Sequence, residues 1–269
     1  MIRTIVVPTD FSQTANNACA YALALAEVLG GANIKLVHAF MPSVEMDYPG
    51  VGNRTTEYLR AREEMLQQTV EALSPKVPIE QEVLIGFAAD ELVNMSKSAD
   101  LIVMGTTGEG GLLTRMFGSV STATAQRAEC PVLLVPNGAA FNGLHAILYA
   151  SNYESADEAL VEALIRFNTQ FKATVHFVHV REEAANFGKT KEEIFDELFV
   201  HGEPTFGFSI AEIDAASVPE GLASYAVDYN IDLLVMAHRK RSFWQSMFHK
   251  SQTKEVALSV KLPILVFHC

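Results

Sequence analysis

The segment DLIVMG, at residues 100–105, recurs as DLLVMA at residues 232–237, 132 positions later. The same offset aligns CPVLLV at residues 130–135 with LPILVF at residues 262–267, and Ser119 with Ser251. Near the start of each half, IVVPTDF at 5–11 matches ILYASNY at 147–153, with an offset of 142. Because the similarity extends along both halves, the sequence predicts two homologous domains in tandem, residues 1–138 and 143–269. The small and polar residues between them are typical of a short linker.

Short apolar segments alternate with helical patterns in the first half. Residues 4–8, 34–39, 79–84, 101–104 and 131–135 have the composition of buried strands. Helices are expected from Ser12, as the N-cap, to Gly30-Gly31, and then over 57–73, 90–97 and 119–128. The order β-α-β-α-β-α-β-α-β predicts an α/β, Rossmann-like fold with a five-stranded, doubly wound parallel sheet in each half. Ligands of such sheets bind at the carboxyl ends of the strands.

The composition excludes several classes of protein. The chain has 269 residues, of which 49% are hydrophobic and 19% charged, so it is not intrinsically disordered. Its net charge of −12 argues against general binding to nucleic acid or to an anionic membrane surface. The first residues form a strand-like segment rather than an apolar signal, and the three cysteines lie far apart in the sequence. We therefore expect a cytoplasmic protein without disulfides, in which Cys19 is a packing residue.

The chemistry is concentrated in GTTGEGGLLTRMFGSVS, residues 105–121, between the fourth strand and the fourth helix. Glycines let backbone amides approach phosphate oxygens, and a helix N-terminus offers unpaired N–H groups to an anion. The stretch is neither a Walker A loop nor a G-x-G-x-x-G dinucleotide fingerprint. On the residues alone, a phosphate cradle and an ordinary glycine-rich loop both stay open.

The spacing Gly105-x-x-Gly108, nine residues, then Gly118-Ser119 resembles the nucleotide loop of the ATP-binding universal stress proteins. VVPTDFS at 6–12, Val37-His38 and the segments 100–105 and 130–135 also resemble that family. The resemblance covers the chain as a tandem pair. It implies the adenine nucleotide alpha hydrolase-like form of the Rossmann-like fold. It also implies antiparallel pairing of residues 132–135 with 264–266, giving an intrachain pseudo-dimer and leaving a further homodimer open.

The same resemblance implies ATP as the ligand, with or without Mg²⁺, and assigns residues to its parts. Pro8, Thr9 and Asp10 would line the adenosine side, with Ala39 against the base. Contacts to ribose and phosphates would come from the residues of the fourth strand's end and of the loop, namely Met104, Gly105, Gly108, Gly118, Ser119, Val120 and Ser121.

The second half departs from this pattern where phosphate should bind. Ala237, Lys240 and Lys250 stand opposite Gly105, Gly108 and Gly118. We therefore expect a degenerate loop that does not hold ATP in the same way. The basic residues of this loop could bind another anion or form a solvated or interface loop. They are Arg239, Lys240, Arg241 and Lys250. An aromatic patch accompanies them, formed by Phe243, Trp244, Met247 and Phe248.

Three functions follow from these observations. The first is an ATP-binding regulatory protein of stress responses, with one competent site in the first domain and unidentified protein partners. The second is a scaffold or chaperone-like protein that binds partners through the aromatic and basic loop of the second domain. A phosphotransferase or ATPase is third, because no His or Lys accompanies Asp10 or Glu109 in the sequence. We predict no catalytic residue and no metal site, since His176 and His179 point to opposite faces of a strand and His268-Cys269 lacks a third ligand.

Overall fold

The protein is described by a computed structural model covering residues 2–41, 52–73, 75–106, 118–151, 158–181, 193–195, 199, 204–238 and 262–268. The chain divides into two compact units, residues 2–141 and 142–269. Each unit contains one parallel sheet with helices between its strands.

The first unit alternates strands and helices along the whole of its length. Its elements are β1 (Thr4–Pro8), α1 (Gln13–Val28), β2 (Asn33–Phe40), α2 (Gly52–Leu73), β3 (Ile79–Ile85), α3 (Ala88–Ser96), β4 (Leu101–Gly105), α4 (Ser119–Arg127) and β5 (Val132–Val135). The strand order is β3-β2-β1-β4-β5, and every neighbouring pair is parallel. This confirms the predicted α/β fold and places the topological switch between β1 and β4.

The second unit repeats this plan. Its elements are β6 (Ala146–Ala150), α5 (Glu158–Asn168), β7 (Thr174–Arg181), β8 (Phe208–Asp214), α6 (Val218–Asp228), β9 (Leu233–His238) and β10 (Ile264–His268). The strand order β8-β7-β6-β9-β10 corresponds to that of the first unit, and the pairs are again parallel. The antiparallel pairing of the two final strands stays a prediction.

Helix α1 shows how the sequence builds one face of the first unit. The Ser12 hydroxyl caps the helix by accepting the Ala15 amide at 3.2 Å. Alanines at helical spacing bury a smooth face that lets the helix lie close to the sheet. Gly30 and Gly31 then end it at φ values of +80° and +90°. Cys19 is buried on this face, as predicted, and burial raises the pKa of its thiol to about 12.

The aspartate that opens the repeated segment has the same role in both units. One carboxylate oxygen of Asp100 accepts the amides of Arg3 and Thr4 at 2.8 and 2.9 Å. Asp232 makes the corresponding pair of bonds to the amides that open β6, at 2.6 and 3.0 Å. We call each arrangement an aspartate clamp. It joins the start of the first strand to the start of the fourth, which accounts for the aspartate at both positions.

Candidate functional site

The predicted residues of the first unit that the structure describes lie at the carboxyl ends of β1, β2 and β4 and at the start of α4. In a doubly wound sheet this edge, at the switch between β1 and β4, is where a crevice forms. Two pieces of backbone build it: the turn between β1 and α1, and the junction between β4 and α4.

The turn after β1 is held by its own polar side chains. The Thr9 amide donates to the Val37 carbonyl at 2.8 Å, which continues the pairing of β1 with β2. The Thr9 hydroxyl accepts the Phe11 amide at 2.9 Å, and the Asp10 carboxylate accepts the Ser12 amide at 3.0 Å. Asp10 itself is exposed, so the turn presents a carboxylate to solvent beside the half-buried Pro8.

Phe11 joins this turn to His38 of β2. Phe11 has φ of +66°, a left-handed conformation that costs a bulky residue about 1–3 kcal/mol. Its ring packs on His38 with centroids 4.6 Å apart. The His38 Nδ1 atom lies 2.8 Å from the Thr9 carbonyl oxygen. Burial lowers the pKa of His38, and Arg62 lowers it further, against the opposing effects of the Thr9 carbonyl and of Asp10.

The end of β2 contributes an apolar cross-strand pair to the sheet. Ala39 and Phe40 are half-buried, and Phe40 pairs with Ile85 of β3, whose side chain is 52% exposed. In the second unit the corresponding cross-strand pair joins Arg181 and Asp214. The Arg181 Nη2 atom donates to the carboxylate at 3.0 Å, and Nε lies 2.8 Å from its other oxygen. The same position in the fold is therefore apolar in one unit and an ion pair in the other.

The junction between β4 and α4 closes on one carbonyl group. The Thr106 carbonyl oxygen accepts the Gly118 amide at 2.6 Å and the Ser121 hydroxyl at 3.0 Å. Met104 is buried, and Gly105 touches α1, because a Cβ at residue 105 would lie 2.8 Å from Thr14 Cγ2. Gly105 is therefore required by packing within the first unit.

Gly118 differs from Gly105 in this respect. It is the N-cap of α4 with φ of −67° and ψ of 162°, which any residue can adopt. Among the described residues, a Cβ at this position would meet only the Ser121 hydroxyl and the Thr106 carbonyl oxygen, both at 3.7 Å. Neither backbone conformation nor packing in the described residues requires a glycine here.

The first turn of α4, at the same edge, has amides with no acceptor within the helix. The first bond within the helix runs from the Thr122 amide to the Gly118 carbonyl, at 3.0 Å. The amides of Ser119, Val120 and Ser121 precede it, so they have no acceptor within the helix. Ser119 is exposed and Val120 half-buried, whereas Ser121 is buried. The helix start thus offers N–H donors and a partial positive charge to an anion.

Ten of the predicted residues lie on this edge: Pro8, Thr9, Asp10, Ala39, Met104, Gly105, Gly118, Ser119, Val120 and Ser121. Gly108 and the distinguishing residues of the second unit's loop, Lys240, Lys250 and the aromatic patch, lie outside the described residues. The Ser121 hydroxyl is engaged at the loop base rather than open to solvent. Sequence reasoning did not select Phe11, His38 or Thr106, although Val37-His38 recurs as Val178-His179.

Metal ligands and membrane spans are two further classes of site. Within the described ranges, no group of three or more His, Cys, Asp or Glu side chains could hold a metal ion. Of the helices in those same ranges, none has the length and apolar character needed to cross a bilayer.

Comparison with known proteins identifies the family. The model of the universal stress protein family matches residues 1–136. The chain belongs to the universal stress protein family. A universal stress protein of Methanocaldococcus jannaschii is 33% identical over 141 residues, which cover 50% of this chain and 82% of the relative. One from Thermus aquaticus is 36% identical over 139 residues, covering 50% of this chain and 99% of the relative.

A solved structure extends the likeness to the second unit. The crystal structure of a universal stress protein from Archaeoglobus fulgidus aligns with 98% of this chain and 96% of its own, with a TM-score of 0.70 and 17% identity. At that identity the match establishes the fold of this universal stress protein along nearly its whole length.

Proposed function

We propose that this universal stress protein is an ATP-binding regulatory protein with one competent nucleotide site, in the first unit. Family membership, the edge described above and the spacing of its glycines support this proposal. We also propose a cytoplasmic location, from the three dispersed cysteines.

Gly118 is the observation that carries the proposal. Nothing in the described residues requires a glycine there, yet the residue lies at the start of a helix whose first three amides have no acceptor within the helix. A side chain at this position would project into the space through which a phosphate group approaches those amides. The second unit has Lys250 at the corresponding position, and we propose that its loop does not hold ATP.

The phosphate chain would lie against α4. The amides of Ser119, Val120 and Ser121 and the exposed Ser119 hydroxyl suit phosphate oxygens, because all are donors. Ser121 would contribute its amide, while its hydroxyl keeps the start of α4 joined to Thr106. Mg²⁺ would be held mainly by phosphate oxygens, because the turn supplies a single carboxylate, that of Asp10.

The adenosine would lie against the ends of β1 and β2. Asp10 can accept a hydrogen bond from a ribose hydroxyl or an exocyclic amine, and Ala39 offers a small apolar contact for the base. We propose binding with at most slow turnover of ATP. This is because polar groups of the turn and of β2 are engaged with backbone: one Asp10 carboxylate oxygen accepts the Ser12 amide, and His38 contacts the Thr9 carbonyl.

Native mass spectrometry with ATP tests this proposal by counting nucleotides per chain. We expect one nucleotide in the wild-type protein, loss of binding in Gly118→Lys, and retention in the control Gln126→Lys. The control places the same charge on an exposed position of the same helix, about 10 Å from its start. Wild-type protein without nucleotide, or Gly118→Lys with unchanged affinity, would overturn the site. Two nucleotides per chain would contradict the degenerate second loop.

A further inference from the structure

We propose that His38 is a positioning residue of the first unit's nucleotide site, which holds Asp10 in place by contacting the residues on both sides of it. This inference rests on the proposed function, because it concerns the same site. It adds a residue that the glycine motif does not include.

The first contact is a hydrogen bond to the residue before Asp10. Because a carbonyl oxygen can only accept, the His38 Nδ1 atom must carry the proton of its 2.8 Å bond to Thr9. The tautomer is thereby fixed, and Nε2 keeps its lone pair. Nε2 is buried with no hydrogen-bond partner among the described residues, and the whole side chain is only 9% exposed. The ring is therefore held in one orientation by Thr9 and by its packing.

The second contact is with the residue after Asp10. The Phe11 ring lies 4.6 Å from the His38 ring, and Phe40 covers it at 6.3 Å with the planes 14° apart. Phe11 holds this place although its backbone is left-handed, at φ of +66°. The His38 ring thus supports the unusual backbone that follows Asp10.

Asp10 depends on these two neighbours for its direction. It is exposed, and its carboxylate is bonded to the Ser12 amide within the same short turn. The contacts from Thr9 and Phe11 to His38 join that turn to β2, across 27 to 29 positions of sequence. Releasing them would let the turn and its carboxylate move relative to the helix start that binds phosphate.

The second unit contains a natural comparison for this histidine. His179 is its counterpart, and its Nδ1 atom makes the same kind of bond, 3.0 Å from the Ser151 carbonyl oxygen. Asn152 follows there instead of an aspartate, and Arg181 takes the place of Phe40. The carbonyl bond therefore belongs to the fold of both units. The acid that it positions and the Phe40 ring that covers the histidine are particular to the first.

The test compares the same substitution at both histidines. His38→Phe and His179→Phe each keep a ring and remove a donor, and both are measured for ATP affinity by calorimetry and for thermal stability. We expect His38→Phe to weaken ATP binding about 3- to 10-fold, the effect of one lost hydrogen bond. His179→Phe should leave the affinity unchanged, and His38→Asn should recover most of the loss, because its amide can donate to Thr9.

A double-mutant cycle with Asp10→Ala separates positioning from a general structural role. If His38 acts through Asp10, His38→Phe will weaken ATP binding in the wild-type background and have no further effect beside Asp10→Ala. Equal losses in both backgrounds, or equal losses from the two histidine variants, would overturn the inference. An unchanged affinity in His38→Phe would overturn it too, while failure of the wild-type protein to bind ATP would instead refute the proposed function.

Discussion

Ser119 and Ser121 are close in sequence but should respond oppositely to removal of their hydroxyl groups. The Ser121 hydroxyl is buried and donates to the Thr106 carbonyl at 3.0 Å. The Ser119 hydroxyl is exposed at the first position of α4. Ser121→Ala should therefore lower stability, whereas Ser119→Ala should lower affinity for ATP.

The structure sets the size of each effect. Loss of the Ser121 bond should cost about 0.5–1.5 kcal/mol of unfolding free energy. The lower part of that range is expected, because the Thr106 carbonyl keeps its 2.6 Å bond to the Gly118 amide. Ser119→Ala should change stability by less than about 0.5 kcal/mol, as exposed substitutions do. If the Ser119 hydroxyl donates to a charged phosphate oxygen, its loss should weaken ATP binding by about 1.5–3 kcal/mol, roughly 10- to 150-fold.

Urea unfolding followed by circular dichroism, and calorimetric titration with ATP, measure the two quantities on the same preparations. With an m-value of about 1–3 kcal/mol per molar urea, the Ser121→Ala midpoint should fall by a few tenths of a molar to about 1 M. The reasoning would be refuted by the exchanged pattern, in which Ser121→Ala weakens ATP binding at unchanged stability and Ser119→Ala unfolds earlier at unchanged affinity.

Three further predictions concern stability. Asn168 is fully buried and bonds both the carbonyl and the amide of Ala173, at 2.8 and 3.0 Å. Asn168→Ala should therefore lower the unfolding free energy by about 2–4 kcal/mol in urea unfolding, and a change below about 1 kcal/mol would contradict this. Asp100→Ala should lower the unfolding free energy by about 1–2 kcal/mol, a modest loss because the two bonds of its clamp are exposed. It should also speed hydrogen exchange of the amides at the start of β1, and unaltered exchange there would contradict this role. Burial lowers the pKa of His38 and of His176, so below pH 6.5 the unfolded chain binds more protons than the folded one. Stability should be complete above that pH and should fall as the pH drops below 6.5, and replacing both histidines by Gln should flatten the fall. An equally steep fall in that variant would exclude these two groups.

Much of the fold followed from local patterns in the sequence. The limits of α1 were predictable because Ser12 and Gly30-Gly31 mark them chemically. Helix α2 begins at Gly52, five residues before the predicted start. The pattern did not reveal this start, because the first turn of the helix lacks apolar residues at helical spacing. Helix α3 begins two residues before its predicted start. The sequence gives no signal for this start, because Phe87 occupies the N-cap position and makes no side-chain capping bond.

The candidate site was predictable as a set of positions, but less so in its contacts. Successive helical residues are about 100° apart, so Ser119 and Ser121 differ by about 200° and cannot both face the ligand. That signal was present in the sequence, and it accounts for the buried Ser121 hydroxyl. The bond from His38 to Thr9 was not predictable, because it depends on the register that pairs Pro8 with Val37.

The aspartate clamps can form only late in the synthesis of each half of the chain. In the first unit the clamp joins residues 96 and 97 positions apart, and in the second 86 and 87. At a synthesis rate of about 5–20 residues per second, the carboxylate follows its strand by about 5–20 seconds. During translation each half of the chain therefore passes through an interval in which an apolar strand has been completed and the residue that fastens its beginning has not yet been added.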